Sequence, residues 1–293
     1  MQSPRITVVG SINADLTVKV PRHPSPGETL LGSGGGITPG GKGANQAVAA
    51  ARLGSSVALV GAIGNDAHAD HATQLLIDAA VDLSSLEPLD APTGLAVITV
   101  AADGENTVMV VPGANGEVGA GVVDKHAAVV SGADILLLQG EIPADGFAQA
   151  VELATGRVVV NLAPVIDVDR DALRKADPLI VNEHEAQLVL GREAAPTECV
   201  DELLKEFASV VVTLGAAGAL VGTPDGVVRV DSPTVTAVDT VGAGDAFTGA
   251  LCHRLLEGDS LVAAAQFASR VGAFSVTHPG AQPSYPWSGD ELP

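Results

Sequence analysis

Short runs of Val, Ile and Leu alternate along the chain with longer stretches in which Ala and Leu recur at helical spacing. The runs Ile6–Gly10, Val57–Gly61, Ile135–Gln139, Val158–Leu162, Leu179–Asn182 and Val210–Leu214 are apolar at nearly every position, as strands covered on both faces are. Between most of them lie helical stretches: Ala44–Leu53, Ala67–Ala80, Asp145–Ala154, Glu183–Leu190 and Thr197–Phe207. The alternation predicts an α/β fold, three-layer α/β/α, with a mostly parallel central sheet. Gly54 follows Leu53 as a helix-closing residue would.

Two segments interrupt the rhythm. Leu16–Gly32 carries Pro21, Pro24 and Pro26 and has no helical period. Gly94–Val111 divides into two strand-like halves about Asp103-Gly104, a hairpin signal. The two segments form either surface loops or a small sheet over one edge of the main one. No internal repeat is visible, and the proline-rich tail Pro279–Pro293 is expected to be irregular.

Composition narrows the picture. A chain of 293 residues, 46% hydrophobic, folds as one large domain or two small ones. Aromatic residues make up only 2%, so the core must be packed with aliphatic side chains. The formal net charge of −20 argues against nucleic-acid partners and against anionic membrane surfaces. No uninterrupted apolar run of about 18 residues occurs, so no membrane span is expected. No leader-like pattern precedes the first strand, so no signal peptide is expected and a cytoplasmic location is. Cys199 and Cys252 fall in helical patterns without metal-ligand spacing and are expected to be buried, reduced thiols.

Candidate chemistry concentrates in two glycine-rich places. Gly36–Gly43 reads G-I-T-P-G-G-K-G and nearly matches a phosphate loop. It fails where Gly43 replaces the hydroxyl residue that ligates Mg²⁺, and no clear strand precedes it. Two other readings remain. Gly40-Gly41 lets the backbone approach a ligand closely, with Lys42 and Asn45 offering donors and an acceptor, or it is a tight turn before a helix. The second place is Asp239-Thr240-Val241-Gly242-Ala243-Gly244-Asp245-Ala246-Phe247. Here glycines open a helix whose buried stripe is Ala246, Phe247, Ala250, Leu251 and Leu255. Free amides at a helix start attract an anion, and Asp245 beside them could accept a hydroxyl proton. An acidic residue in a first helical turn is also favourable for structural reasons alone.

Taken together, these segments resemble the ribokinase / phosphofructokinase-B sugar-kinase family over nearly the whole chain. The resemblance is carried in order by Gly10–Asp15, Gly40–Ala47, Asn182-Glu183-His184-Glu185, Thr213–Gly218, Asp239–Asp245 and Gly280–Ser284. It implies a single kinase domain over residues 1–293, with a small β-sheet lid from about 16–32 and 94–111. It implies Asp245 as the base and the amides of Gly242, Ala243 and Gly244 as holders of the transferred phosphoryl group. Asn13, Asp15, Gly40, Gly41, Lys42, Asn45 and Glu141, with Asp245, would bind sugar hydroxyls. Asn182, Thr213, Leu214, Gly215, Ala216, Ala217, Gly218, Gly244 and Ser269 would line the ATP site. Glu185 would help position Mg²⁺ through water. Asp239, Val241, Ser275, His278, Gly280 and Ser284 would surround K⁺, largely through carbonyl oxygens, with His278 contributing backbone and not its ring. A homodimer joined through the lid is the implied assembly.

The family covers several substrates. Gly280–Ser284 resembles the ribose-specific branch, which implies phosphorylation of D-ribose at its 5-hydroxyl. The lid segments contain no Phe, Tyr or Trp to stack a nucleoside base. Lys19 and Arg22 leave a phosphosugar open. Departures from the family pattern are the early positions of Val-Gly-Ala-Gly-Asp and the lack of Pro directly after Asn161. A non-catalytic sugar- or nucleotide-binding regulator is the competing class, and Asp245 together with its glycines argues against it.

Overall fold

The computed structural model describes residues 6–103 and 105–293. The strands in chain order are β1 (Ile6–Val9), β2 (Asn13–Lys19), β3 (Gly34–Gly40), β4 (Val57–Gly64), β5 (Leu86–Leu89), β6 (Gly94–Val100) and β7 (Asn106–Val111). They continue with β8 (Ile135–Gln139), β9 (Arg157–Asn161), β10 (Leu179–Asn182), β11 (Val210–Thr213), β12 (Ala219–Thr223) and β13 (Gly226–Val230). The first five helices are α1 (Lys42–Arg52), α2 (Ala67–Asp78), α3 (Ala120–Lys125), α4 (Ala127–Ser131) and α5 (Ala144–Leu153). The rest are α6 (Arg170–Leu173), α7 (Glu183–Leu190), α8 (Pro196–Leu203), α9 (Ala243–Leu256) and α10 (Leu261–Ser275).

Nine strands form the main sheet in the order β13-β12-β11-β10-β9-β8-β1-β4-β5. Its strands from β5 through β11 run parallel, and β12 and β13 close one edge as an antiparallel hairpin. Alternate side chains explain why these strands are apolar throughout. Ile135, Leu137, Val159, Ile180 and Val211 pack against α1, α2, α9 and α10. Leu136, Leu138, Val160, Val181 and Val212 pack into the layer of α3 to α8 on the other face. Phe147 is the one aromatic among the largest fully buried side chains, so the core is aliphatic as composition requires. Both cysteines are buried and free.

The second sheet has the order β3-β2-β6-β7. Its central pair β2–β6 is parallel, and both outer pairs are antiparallel. The sequence shows no clear strand before the Gly36–Gly43 stretch; in the structure a strand begins just before it and runs into it. The run Gly34–Gly40 is β3, while residues 20–33 have no regular strand or helix. Glycine makes this strand possible at Gly35, whose φ is 153° and where a Cβ would lie 1.9 Å from Thr17 O. The hairpin joining β6 to β7 passes through Gly104, which lies outside the described residues. Among the described residues no helix is long and apolar enough to cross a membrane.

Two close approaches bring the polar segments together. At Gly43 a Cβ would fall 2.6 Å from Ser11 N, so only glycine lets α1 start against the carboxyl end of β1. At Gly249 a Cβ would fall 2.6 Å from Ala49 Cβ and from Gln46 O. Helices α1 and α9 therefore cross nearly in backbone contact, which sets Asn45 and Gln46 beside Asp245.

Candidate active site

The site lies at the carboxyl ends of the central parallel strands, the usual binding edge of open α/β sheets. Gly242 caps α9 with φ 74°, a left-handed conformation that favours glycine. Asp245 follows in the first turn and is buried. Its Oδ2 accepts from Asn45 Nδ2 at 2.9 Å and its Oδ1 from Gln46 Nε2 at 2.8 Å. The N–H of Ala243 points back to Thr240 O at 3.3 Å. At Gly244 a Cβ would meet nothing within 4 Å apart from its chain neighbours and its own helix backbone, so the chain is open to an incoming group there.

On one side of Asp245 sits a compact polar cluster. Asn13 Oδ1 accepts from Asn115 Nδ2 at 2.8 Å, and Asn115 also bonds both backbone groups of Ile12. Glu141 Oε2 accepts from Ser11 Oγ at 2.5 Å and from Lys42 N at 3.0 Å. Gly40 leaves room for Asp15, whose carboxylate would otherwise meet a Cβ at about 2.1 Å. Asp15 Oδ1 is buried without a hydrogen-bond partner. Burial, with the nearby negative charges of Glu141 and Asp245, pushes the Asp15 carboxyl up to about 7. The charge of Asp245, ahead of an opposing desolvation, raises the Lys42 ammonium above its ordinary value. Asn13, Asp15, Gly40, Gly41, Lys42, Asn45 and Glu141 thus lie close together.

On the other side of Gly244 opens a cavity of about 460 Å³. Asn182, Thr213, Gly215, Ala216, Gly218, Gly244 and Ser269 line it. Ser269 Oγ is buried and unpartnered. Leu214 and Ala217 do not line it: Leu214 packs into the core, and Ala217 O accepts from Arg229 Nη2 at 3.1 Å. The segment from Ser232 to Ala237 forms a wall that sequence patterning did not find.

Asn182 and Glu185 form a reciprocal cap on α7. Glu185 N donates to Asn182 Oδ1 and Asn182 N to Glu185 Oε2, each at 2.8 Å. Desolvation raises the Glu185 carboxyl. Among the described residues no three His, Cys, Asp or Glu side chains cluster as a metal site. The Glu185 carboxylate is the kind of oxygen donor to which a hydrated Mg²⁺ binds. The segments proposed around K⁺ converge through Asp239, which accepts from Val241 N at 3.0 Å and Gly280 N at 2.9 Å. Ser275 and Ser284 turn their hydroxyls to Gly272 O and Ala281 O, and the His278 ring stacks on Phe274. The Asp239, Ser275 and Ser284 side chains are thus engaged within the protein.

Sequence reasoning missed the buried amides of Gln46, Gln139, Asn115 and Gln282. One signal was present: β8, β9 and β10 end in Gln139, Asn161 and Asn182, amide residues closing apolar runs. Gln46 Nε2 also donates to Asn161 Oδ1 at 2.9 Å, and Gln139 Nε2 donates to Gln46 Oε1 at 2.7 Å.

Asp245 at a glycine-opened helix start, between the Asn13–Asp15–Glu141 cluster and a cavity of about 460 Å³, is an arrangement that suits phosphoryl transfer to a sugar hydroxyl. Residues 3–288 match the pfkB family of carbohydrate kinases, and the chain belongs to that family. A ribokinase of Haemophilus influenzae is 37% identical to it, over 98% of this chain and 97% of that one. A deoxyribokinase of Salmonella typhi is 34% identical, over 96% and 95%. The structure of Arabidopsis thaliana ribokinase complexed with ribose and ATP superposes with a TM-score of 0.89 at 31% identity, covering 98% of this chain and 97% of that one.

Proposed function

We propose that the protein transfers the γ-phosphoryl group of ATP to the 5-hydroxyl of D-ribose, giving ribose 5-phosphate. The observation that carries this is the placement of Asp245, held by two amide donors, between the Asn13–Asp15–Glu141 cluster and the Gly244 cavity. The sugar hydroxyl gives its proton to Asp245 as its oxygen attacks phosphorus. The amides at the start of α9 receive the phosphoryl charge where the helix dipole is positive. Asn and Asp side chains bond two neighbouring hydroxyls each, which suits a polyol. Glu185 would hold Mg²⁺, which when bound would supply charge neutralisation on the phosphates, and the segments joined by Asp239 would hold K⁺.

The second sheet acts as a lid that excludes water from the phosphoryl group. Its outer strand β7 exposes Val108, Met109, Val110 and Val111 by about half each, an apolar edge that pairing with a second copy would cover. The protein works as this homodimer in the cytoplasm, without nucleic-acid or membrane partners. A phosphosugar substrate is disfavoured because the Arg22 guanidinium is already paired with Glu28 at 2.7 Å and 2.5 Å. ADP release measured over ribose, deoxyribose, hexoses, phosphosugars and nucleosides tests the proposal. Ribose must give the highest kcat/KM; a deoxyribose optimum would replace it, and no sugar-dependent release would remove it.

A further inference from the structure

Of the two amides that hold Asp245, only Asn45 belongs to the sugar-binding cluster. Gln46 is fully buried, and besides Asp245 its amide bonds Asn161 and Gln139. A carboxylate only accepts hydrogen bonds, so Gln46 must turn its N–H toward Asp245 Oδ1. Its Oε1 then faces Gln139, whose Nε2 donates at 2.7 Å. The same Gln46 Nε2 bonds Asn161 Oδ1 at 2.9 Å, and Asn161 Nδ2 is in turn fixed on Ile180 O at 3.1 Å. Gly10 is the counterpart of this chain: a Cβ there would fall 2.2 Å from Gln139 Oε1. The plane of the Asp245 carboxylate is thereby set from the ends of β8 and β9, independently of any sugar.

We propose that Gln46 is a positioning residue for phosphoryl transfer: it aims the Asp245 carboxylate at the attacking hydroxyl and holds it as a neutral-donor partner. The proposal rests on Asp245 acting as the base. In the reaction the hydroxyl oxygen bonds to the γ-phosphorus, the bond from that phosphorus to ADP breaks, and the hydroxyl proton moves to Asp245. A neutral N–H favours the ionised acceptor without adding a charge that would compete with the phosphates. The titratable groups in electrostatic reach of Asp245 are Lys42 on α1, Asp15 on β2, Glu185 on α7 and Tyr285 in the C-terminal segment. None of them hydrogen-bonds Gln46 among the described residues, so a change at Gln46 reaches Asp245 directly.

The test is Gln46→Glu, nearly identical in shape, followed by steady-state kinetics across pH. Two carboxyl groups about 3 Å apart cannot both ionise freely. The acid limb of the kcat profile should therefore move up by about one pH unit or more, with kcat at neutral pH down by about 10-fold or more. The sugar KM should stay within about threefold of wild type, since the Gln46 amide is taken up by Asp245, Asn161 and Gln139. Gln46→Met, which removes the donor without adding charge, is the second variant where the first does not fold; it should lower kcat with the same separation from KM. Unchanged kcat and an unchanged acid limb in a folded variant overturn the proposal. So does a KM rising in step with the fall of kcat. Wild-type turnover in the same assay separates the two ideas: if wild type transfers to no sugar, the base assignment fails and this proposal with it. If wild type is active and the variant profile is unchanged, only the positioning role fails.

Discussion

Asn115 Nδ2 donates to Asn13 Oδ1 at 2.8 Å, which fixes the orientation in which the Asn13 amide meets a ligand. Asn115 sits just beyond β7, and Asn13 opens β2. One hydrogen bond therefore ties the base of the second sheet to the sugar-side cluster. Gly94, at the start of β6, leaves the space: a Cβ there would fall 2.2 Å from both amides. Asn115→Asp keeps an acceptor for Ile12 N but cannot donate to Asn13, which is then free to turn. The expected result is a rise of about 10-fold or more in sugar KM with a smaller change in kcat, since a lost charge-neutral hydrogen bond costs about 0.5–1.5 kcal/mol and an unpaired buried group about 1–3 kcal/mol. Steady-state kinetics with varied sugar reads it.

Asp245→Asn should leave the fold and sugar binding in place and remove turnover. The side chain keeps its shape, and its oxygen can still accept from one of Asn45 and Gln46. It cannot accept the hydroxyl proton. Loss of a general base costs about 10² to 10⁴ in rate. Calorimetric sugar binding together with an ADP-release assay checks both halves. Turnover near that of wild type would leave Asp245 with only its favourable place at a helix start.

Much of this site was legible from the chain, and the rest was hidden for identifiable reasons. The strands β8 and β10 and the helix α7 coincide with the apolar and periodic runs, because a parallel strand buried on both faces leaves an unambiguous stretch of Val, Ile and Leu. Asp245 and its glycines were legible because the helix start, the open amides and the acid lie within a few residues. Gln46, Gln139 and Asn115 were not, because each acts through a partner roughly a hundred residues away that periodicity cannot pair. Strand β3 was hidden by its glycines, which carry no β-propensity; it exists because Asn13–Lys19 supplies a complete ladder of partners. The β12–β13 hairpin does carry a signal that sequence reasoning missed, Pro224-Asp225-Gly226 between two apolar runs, whereas the wall at Ser232–Ala237 has no regular strand or helix.

Asp15 gives the protein a definite pH dependence of stability. Its carboxyl is held at about 7 against an ordinary 3.8. Between those values the native state keeps a proton that the unfolded chain has released, so stability falls as pH rises from about 4 to 7. Asp15→Asn removes that cost. The variant should match wild type at pH 4 and be more stable at pH 8, by on the order of 2 kcal/mol and below the roughly 4 kcal/mol that the full difference would give. Thermal melts of both proteins across that range read it; equal slopes would show that the buried carboxyl is relieved by solvent.

The proposed K⁺ site, where Asp239 accepts from Val241 N and Gly280 N, predicts activation by K⁺ over Na⁺. Kinetics in K⁺, in Na⁺ and in a large organic cation should rank K⁺ first. Asp239→Ala should flatten the ranking by loosening both segments. Equal rates in all three salts would count against the site.

Gly242 and Gly244 lie two residues apart and should fail in different ways when given a methyl group. Gly242 has φ 74°, and a Cβ would fall 2.5 Å from Tyr285 Oη and 2.6 Å from Ala281 Cβ. Tyr285 donates to Gly242 O at 3.1 Å and is itself buried, so it cannot give way. Gly242→Ala should lower Tm, by a strain of about 1–2 kcal/mol from the left-handed backbone plus the clash. At Gly244, in the helical first turn, a Cβ would meet nothing within 4 Å apart from its chain neighbours and its own helix backbone. Gly244→Ala should keep or slightly raise Tm, by up to about 1 kcal/mol of helix propensity. Its methyl would enter the opening where the phosphoryl group must lie, so kcat should fall sharply and ATP KM rise. Melting curves and kinetics on the same two preparations separate these outcomes, and a Gly244→Ala enzyme with wild-type kcat would mean that phosphate does not approach α9 at that residue.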